Sequence, residues 1–159
     1  EGLVLRLSNS FGFPVNTKAN CWMLLVNDLC RQLVTTKKII LSSNGLQTRN
    51  FISLNNVSRV ISHFLALKKD DLLDGLFNVG SDCSISVLEM ASNIARCSEL
   101  EFGFKVPIES SSVEKNKRNI KLKYDNSKLK STGINLIDDI NEEITQTLRA
   151  CKNQYDQTC

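Results

Sequence analysis

Apolar positions first gather in Leu3-Val4-Leu5-Arg6-Leu7, a short run that reads as a buried strand. Ser8-Asn9-Ser10-Phe11-Gly12-Phe13-Pro14 follows as a polar loop punctuated by Gly and Pro. From Asn20 the period changes. Trp22, Leu25, Val26, Leu29, Cys30 and Leu33 recur at helical spacing and predict an amphipathic helix. Lys38-Ile39-Ile40-Leu41 reads as a short strand, Ser42-Ser43-Asn44-Gly45 as a turn, and Leu46 to Leu54 as extended chain. Asn55 or Asn56 is placed to cap a second helix with Val57, Val60, Ile61, Phe64 and Leu65 on its buried face. His63 falls off that stripe, which predicts an exposed or half-exposed ring rather than a ligand.

Leu76-Phe77-Asn78-Val79-Gly80 reads as another buried strand. Ser86-Val87-Leu88-Glu89 has the form of a capping box opening a third helix, with Val87, Leu88, Ala91, Ile94 and Ala95 inward. Val106-Pro107-Ile108 suggests a short edge strand. Glu109 to Lys123 has little pattern. Asn126 to Ser131 predicts a short helix stopping at Gly133. Ile137, Ile140, Ile144, Leu148 and Cys151 mark a terminal helix, with residues 153–159 read as a frayed tail. Alternating strands and helices assign the α/β class. About four strong strands are thin for a self-contained doubly wound sheet.

Composition narrows the function classes. The chain has 159 residues, with 42% hydrophobic and 23% charged residues, which fits a folded domain and excludes disorder and coiled coil. No apolar run is long enough for a membrane span, so no membrane partner is expected. No basic n-region with an apolar core opens the chain, and a reducing cytoplasm is the expected compartment. The net charge of +3 is uneven. Lys105 to Lys130 holds eight basic residues against three acids, a local excess of +5. That window is either a solvated loop or a patch that meets phosphate. A nucleic-acid domain is disfavoured, because Tyr124 is the window's only aromatic residue and stacking platforms are missing. Cys21, Cys30, Cys83, Cys97, Cys151 and Cys159 contain no Cys-x-x-Cys pair, and His63 is the only histidine, so zinc is not expected. Cys21, Cys30 and Cys97 lie on apolar helical patterns and read as buried thiols.

Several segments then resemble one family. Arg6-Leu7-Ser8-Asn9-Ser10-Phe11-Gly12 is similar to the R-x-x-N-x-[YF]-G motif of extended short-chain dehydrogenase/reductases, the NAD-dependent epimerases and dehydratases of nucleotide sugars. Gly45-Leu46-Gln47-Thr48-Arg49-Asn50-Phe51-Ile52 resembles their G-x-Q-x-R-D-[FYW]-[IV]. Phe77-Asn78-Val79-Gly80 with Ser86-Val87-Leu88-Glu89 resembles their [YF]-N-[IVL]-G…S-x-x-E, and Asp125-Asn126-Ser127-Lys128 with Gly133 their D-x-S-K…L-G-[WY]. The resemblance covers only the C-terminal half of such enzymes. The Gly-rich dinucleotide fingerprint is not in the sequence, and the one stretch with Y-x-x-x-K spacing, Tyr124-Asp125-Asn126-Ser127-Lys128, coincides with the segment that resembles the family's D-x-S-K ending rather than with its catalytic helix. The implied architecture is the last strands and helices of a Rossmann-type sheet plus the small mixed α/β substrate-binding domain. All of 1–159 falls in that portion, with Glu1 expected to be a cut edge.

The resemblance implies a nucleoside-diphosphate sugar as ligand, NAD or NADP as cofactor held mainly by the missing half, polysaccharide biosynthesis as the setting, and a homodimeric parent. It implies that Arg49 contacts the substrate diphosphate, where a planar guanidinium fits; a structural salt bridge at the sheet rim is the other reading. Asn50 stands where the family has Asp, which removes a carboxylate expected to orient the neighbourhood. Asn9 is implied to bond the substrate near its phosphates or sugar, or else to stabilise its own turn. Asn20 is implied to face the nucleotide at the start of the helix, or simply to cap it. Ser8 and the loop 8–14 would lie near the nicotinamide. Trp22 either stacks a base or joins the core. Ile40 and Leu41 are implied to lie along the base. The family's R-x-G-D-like loop is replaced here by Glu114-Lys115-Asn116-Lys117-Arg118-Asn119-Ile120, in which Arg118, or else Lys115 or Lys117, would meet the diphosphate. The competing reading is a non-catalytic nucleotide-sugar-binding or interaction module, a natural truncation that keeps the pocket without the chemistry.

Overall fold

The computed structural model describes residues 2–16, 18–72, 74–110 and 122–155. The described chain runs β1 (Val4–Leu7), β2 (Asn9–Phe11), α1 (Leu25–Thr36), β3 (Ile39–Leu41), β4 (Thr48–Ser53) and α2 (Leu54–Ala66). It continues with β5 (Leu76–Val79), β6 (Ser84–Ser86), α3 (Val87–Phe102), β7 (Ile108–Ser110), α4 (Ser127–Ser131) and α5 (Ile140–Tyr155). Three small sheets form. β1 and β5 pair in parallel, β2 lies parallel to β4 with β6 antiparallel on its other side, and β3 pairs with β7 in parallel. The mixed α/β class is the one the pattern predicts.

Two apolar cores divide the elements. One joins α1, α3 and α5 around Leu29, Leu33, Met90, Ile94, Ile144 and Leu148. The other joins α2 and α4 to β1 and β5 around Val60, Phe64, Phe77, Val79 and Leu129. Strand β4 belongs to both. Successive side chains of a strand point to opposite faces, so Phe51 enters the first core and Ile52 the second.

Several expectations are corrected. The first helix begins at Leu25, not Asn20, and its N-cap Leu24 offers no side-chain cap. The preceding residues close turns instead, with Ala19 N–H donating to Asn16 O and Leu24 N–H to Cys21 O. Buried Asn27 fixes the helix against Gly12: its Nδ2 donates to Gly12 O (2.7 Å) and its Oδ1 accepts from Gly12 N–H (3.2 Å). The loop 8–14 contains β2, because Asn9, Ser10 and Phe11 find a parallel partner in Phe51, Ile52 and Ser53. Helix α2 is capped by Ser53, whose Oγ accepts from Asn56 N–H (3.0 Å). Asn55 and Asn56 turn their amides to Asp139 instead.

Ile61 and Leu65 are exposed on α2 rather than buried. β1 is half open too, with Val4 and Leu7 exposed, because only one strand flanks it among the described residues. The edge strand expected at 106–108 forms two residues later, at 108–110, opposite β3. β6 had no sequence signal beyond its polar alternation. The terminal helix starts at Ile140 and leaves Ile137 exposed in the loop before it. Residues 153–155 continue that helix rather than fray, because Tyr155 sets its ring edge-on to Trp22 (centroids 5.5 Å apart). The Ser86–Glu89 capping box forms in full, with Ser86 N–H donating to Glu89 Oε2 (2.6 Å) and Glu89 N–H to Ser86 Oγ (3.1 Å). The helix stop read at Gly133 also holds: this residue, past α4, has φ of 87°.

Candidate functional site

β2 and β4 lie side by side, and their register brings two of the sequence candidates together. Asn9 Nδ2 donates to Asn50 O (2.9 Å), which fixes the Asn9 side chain along β4. Arg49 then reaches Asn9 Oδ1 with Nη1 (3.5 Å). No carboxylate pairs with Arg49 among the described residues, so the rim salt bridge does not form there. The result is a half-exposed guanidinium held by one neutral amide, with most of its five donors uncommitted among the described residues. Ser8, one residue before β2, has a buried hydroxyl with no partner. A buried hydroxyl without a partner costs about 1–3 kcal/mol, and a bound polar group would remove that cost.

Asn50 is the residue that sequence reading misplaced. Its side chain turns inward and is 1% exposed. Nδ2 donates to Ser81 O (2.9 Å) and Cys83 O (3.2 Å), while Oδ1 accepts from Ser81 N–H (3.0 Å). Asn50 thus pins the turn between β5 and β6 from below, rather than tuning the charge around Arg49. An amide suits this position because the turn presents two carbonyl oxygens, which accept from an N–H donor.

The same turn is closed from the other side. Asn126 Nδ2 donates to Gly80 O (2.9 Å) and to Asp82 Oδ1 (3.0 Å). Lys130 also bonds Asp82, and these two partners hold its carboxyl below the usual range, Lys130 having the larger effect. Tyr124 OH donates to Arg6 O (2.9 Å), and burial pushes its phenol up. Gly80 fits between these side chains because it has none. A Cβ there would collide with Asn50 Oδ1 and lie 2.5 Å from the Tyr124 ring. The sequence signal for this network was the Phe-Asn-Val-Gly and Asp-Asn-Ser-Lys segments, whose side chains meet here. Lys128 of the second segment bonds Asp74 and Leu76 O and lies over the Phe77 ring, so its role is structural.

The other candidates separate. Asn20 is exposed in the turns before α1 and opens no helix. Trp22 joins the first core. Ile40 is exposed on β3 while Leu41 is buried, so only Ile40 offers an apolar edge. Arg118, Lys115 and Lys117 lie outside the described residues. His63 is half-buried, and its Nε2 lies 2.9 Å from Thr132 Oγ1. A cavity of about 340 Å³ beside Ser53, Asn56, Cys83 and Asp139 is lined by carboxylates, including Asp82 and Asp138, and, among the described residues, by no Lys or Arg. Ser53 Oγ and Asn56 Nδ2 already donate to Asp139. No group of His, Cys, Asp and Glu suited to a metal ion occurs among the described residues, and no helix there is long and apolar enough to cross a membrane.

No protein-family model and no curated protein sequence matches the chain. Solved structures do share its fold. The UDP-glucuronic acid 4-epimerase of Bacillus cereus, in complex with UDP-glucuronic acid and NAD, superposes with a TM-score of 0.66 at 18% identity. The UDP-glucose 4-epimerase of Thermotoga maritima, with UDP-glucose, gives 0.68 at 14%. Each match covers 96% of this chain and 46% of the epimerase. An NAD-dependent NDP-hexosamine 5,6-dehydratase of tunicamycin biosynthesis gives 0.64 at 21%, over 92% of this chain and 44% of the dehydratase. The chain therefore has the fold of somewhat less than half of each of these proteins.

Proposed function

We propose that these 159 residues form the substrate-binding portion of an NAD-dependent nucleotide-sugar epimerase or dehydratase. The portion holds a nucleoside-diphosphate sugar and is not active alone. The observation that carries this reading is Arg49, a guanidinium on the rim of β4 with no carboxylate partner among the described residues and with Asn9 as its only side-chain neighbour by hydrogen bond. A planar fork left free in this way suits the paired oxygens of a diphosphate. Ser8, one residue from Asn9, has a buried hydroxyl with no hydrogen-bond partner among the described residues, which leaves it one bond short in this portion alone. Two of the related structures quoted above hold UDP-sugars, which makes UDP the natural probe.

NAD, when bound, supplies the hydride acceptor. What this chain supplies is position: Arg49 and Asn9 hold the diphosphate end, and the Ser8 hydroxyl meets the reacting end. Fixing two reactants in one geometry is itself a large catalytic contribution. The one pair with Y-x-x-x-K spacing, Tyr124 and Lys128, is engaged in the fold, Tyr124 OH with Arg6 O and Lys128 with Asp74 and Leu76 O, so the acid/base step is assigned to residues outside these 159.

Calorimetry of the chain with UDP, UMP and uridine tests the site. UDP is expected to bind tighter than uridine. Arg49→Ala is expected to remove about 1.5–3 kcal/mol of that difference, the range for charge-assisted bonds. Equal affinities for UDP and uridine, or an unchanged UDP affinity in Arg49→Ala, would sink the assignment.

A further inference from the structure

Glu143, in the first turn of α5, is the one charged side chain that is buried among the described residues, at 8% exposed. The charges that act on it are the carboxylates of Asp139 and Glu142, and no cation offsets them among the described residues. Burial, with Asp139 next, pushes its carboxyl above the usual range, while the Asn55 N–H that it accepts from pulls the other way. A charge placed like this costs stability. The best-attested use of a buried polar group kept at such a cost is to fix a register.

The contacts of Glu143 lie at the end of a ladder. β2 pairs with β4 over three rungs, the last being Phe11 with Ser53. Gly12 comes next after Phe11, and Leu54 and Asn55 follow Ser53. Glu143 meets both chains just past that rung. It accepts from Asn55 N–H, and its Oε1, with Leu54 Cβ, fills the space where a side chain of Gly12 would stand. Gly12 has φ of 149°, and Asn27 on α1 holds its N–H (3.2 Å) and its carbonyl (2.7 Å). Asp139, just before α5, also accepts from Ser53 Oγ (2.9 Å), so the start of α5 grips the end of β4 as well.

The other end of the ladder carries the candidate site. Asn9, on the first rung with Phe51, bonds Asn50 O and Arg49. A three-residue strand has little of its own to set its register. A slip of one residue would turn Asn9 to the opposite face and release Arg49. A staple past the last rung blocks that slip.

We propose that Glu143 is a positioning residue for the Arg49 site: it staples Gly12 to the start of α2 and so keeps β2 in the register in which Asn9 holds the guanidinium. The inference rests on the reading of Arg49 as the diphosphate contact and adds to it a residue that touches no ligand.

The test measures UDP affinity by calorimetry and the Asn9 side-chain amide by nitrogen–proton NMR, both on the 159-residue chain. Glu143→Ala removes the staple and is expected to weaken UDP binding at least fivefold and to shift the Asn9 amide resonances. Glu143→Gln keeps the shape and an accepting oxygen and is expected to stay within twofold of the wild type, with Asn9 resonances in place. In an Asn9→Ala background, Glu143→Ala is expected to change UDP affinity less than twofold, because the register then has no amide to present. A general structural role would weaken binding by the same factor in both backgrounds, and that result would overturn the proposal. Wild-type affinity and unmoved Asn9 resonances in Glu143→Ala would overturn it too, as would a Glu143→Gln variant as weak as Glu143→Ala. Should Glu143→Ala fail to fold, Glu143→Leu refills the volume without the acceptor and takes its place with the same expectations. Failure of the Arg49 reading shows separately, as equal affinities of the wild type for UDP and uridine. The Asn9 resonances in Glu143→Ala then still decide whether Glu143 sets the register.

Discussion

Replacing Asn50 by Asp changes one side-chain group and almost no volume, so it isolates the hydrogen bonds of the turn between β5 and β6. The oxygen that accepts from Ser81 N–H (3.0 Å) is kept. The nitrogen that donates to Ser81 O (2.9 Å) and Cys83 O (3.2 Å) becomes an oxygen facing two oxygens. Two bonds of about 0.5–1.5 kcal/mol each are lost, and the two stranded carbonyls add a desolvation cost. With the side chain 1% exposed, a charge there is also poorly solvated. The expected loss is about 3–5 kcal/mol at pH 7, a large share of the roughly 5–15 kcal/mol of an ordinary domain. The pH dependence has a definite sign. Burial and the facing carbonyls raise the folded-state pKa of the introduced carboxyl above its unfolded value of about 3.9. The ionisation penalty is therefore absent below the unfolded pKa, grows as pH rises toward the folded one and is complete above it. Urea unfolding followed by circular dichroism at pH 4, 5.5 and 7 measures this, and the gap to the wild type is expected to shrink on acidification. A variant within about 0.5 kcal/mol of the wild type at pH 7, or a gap that stays constant with pH, refutes the reasoning.

Ser86→Ala removes the accepting half of the α3 capping box and is expected to cost about 1 kcal/mol, read as a lower urea midpoint; an unchanged midpoint would contradict it. Ser86 N–H and hydroxyl hold the Glu89 carboxyl below its usual range, so its contribution is present above the unfolded pKa and fades as acid drives pH through the folded one. Gly80→Ala forces a Cβ onto Asn50 Oδ1 and the Tyr124 ring and is expected to destabilise by about 1–3 kcal/mol, with Gly2→Ala as a control that meets no neighbour and needs no left-handed backbone. Burial pushes the Cys30 thiol well up and Cys151 up to about 12, whereas Cys83 is exposed. A thiol reagent at pH 8 is expected to label Cys83 at once and Cys30 and Cys151 only on unfolding, and simultaneous labelling would contradict the burial.

Much of this was legible because local rules and tertiary packing agree. The capping box at Ser86, the stop at Gly133 and the inward stripe of α3 need only their own neighbours, and each formed as read. Asn9 and Arg49 were each singled out by motif, but their contact was not legible, because it arises from the parallel pairing of β2 with β4 in a stretch that reads as a loop. Errors occurred where a distant partner decided the matter. Asn27 reaches back to Gly12 and shifts the start of α1 away from Asn20. Ser53 outcompetes Asn55 and Asn56 as the α2 cap because Asp139 engages both amides. Periodicity assigned Ile61 and Leu65 to a buried face, and they lie exposed at the margin of a groove beside β1. Asn50 looked like a lost carboxylate until the carbonyls of Ser81 and Cys83 appeared beside it.

Strand β4 sends Phe51 into the helical core and Ile52 into the core beneath β1 and β5, with Arg49 two residues before Phe51 on the same strand. Neither core can open without loosening the wall it shares with the other. The amides of α1, α3 and α5 and those of α2 are thus tied into one opening unit, rather than exchanging as two independent foldons. On the proposed reading, a diphosphate held by Arg49 would stabilise that wall. Its protection would therefore spread to helices it never touches, in proportion to its occupancy.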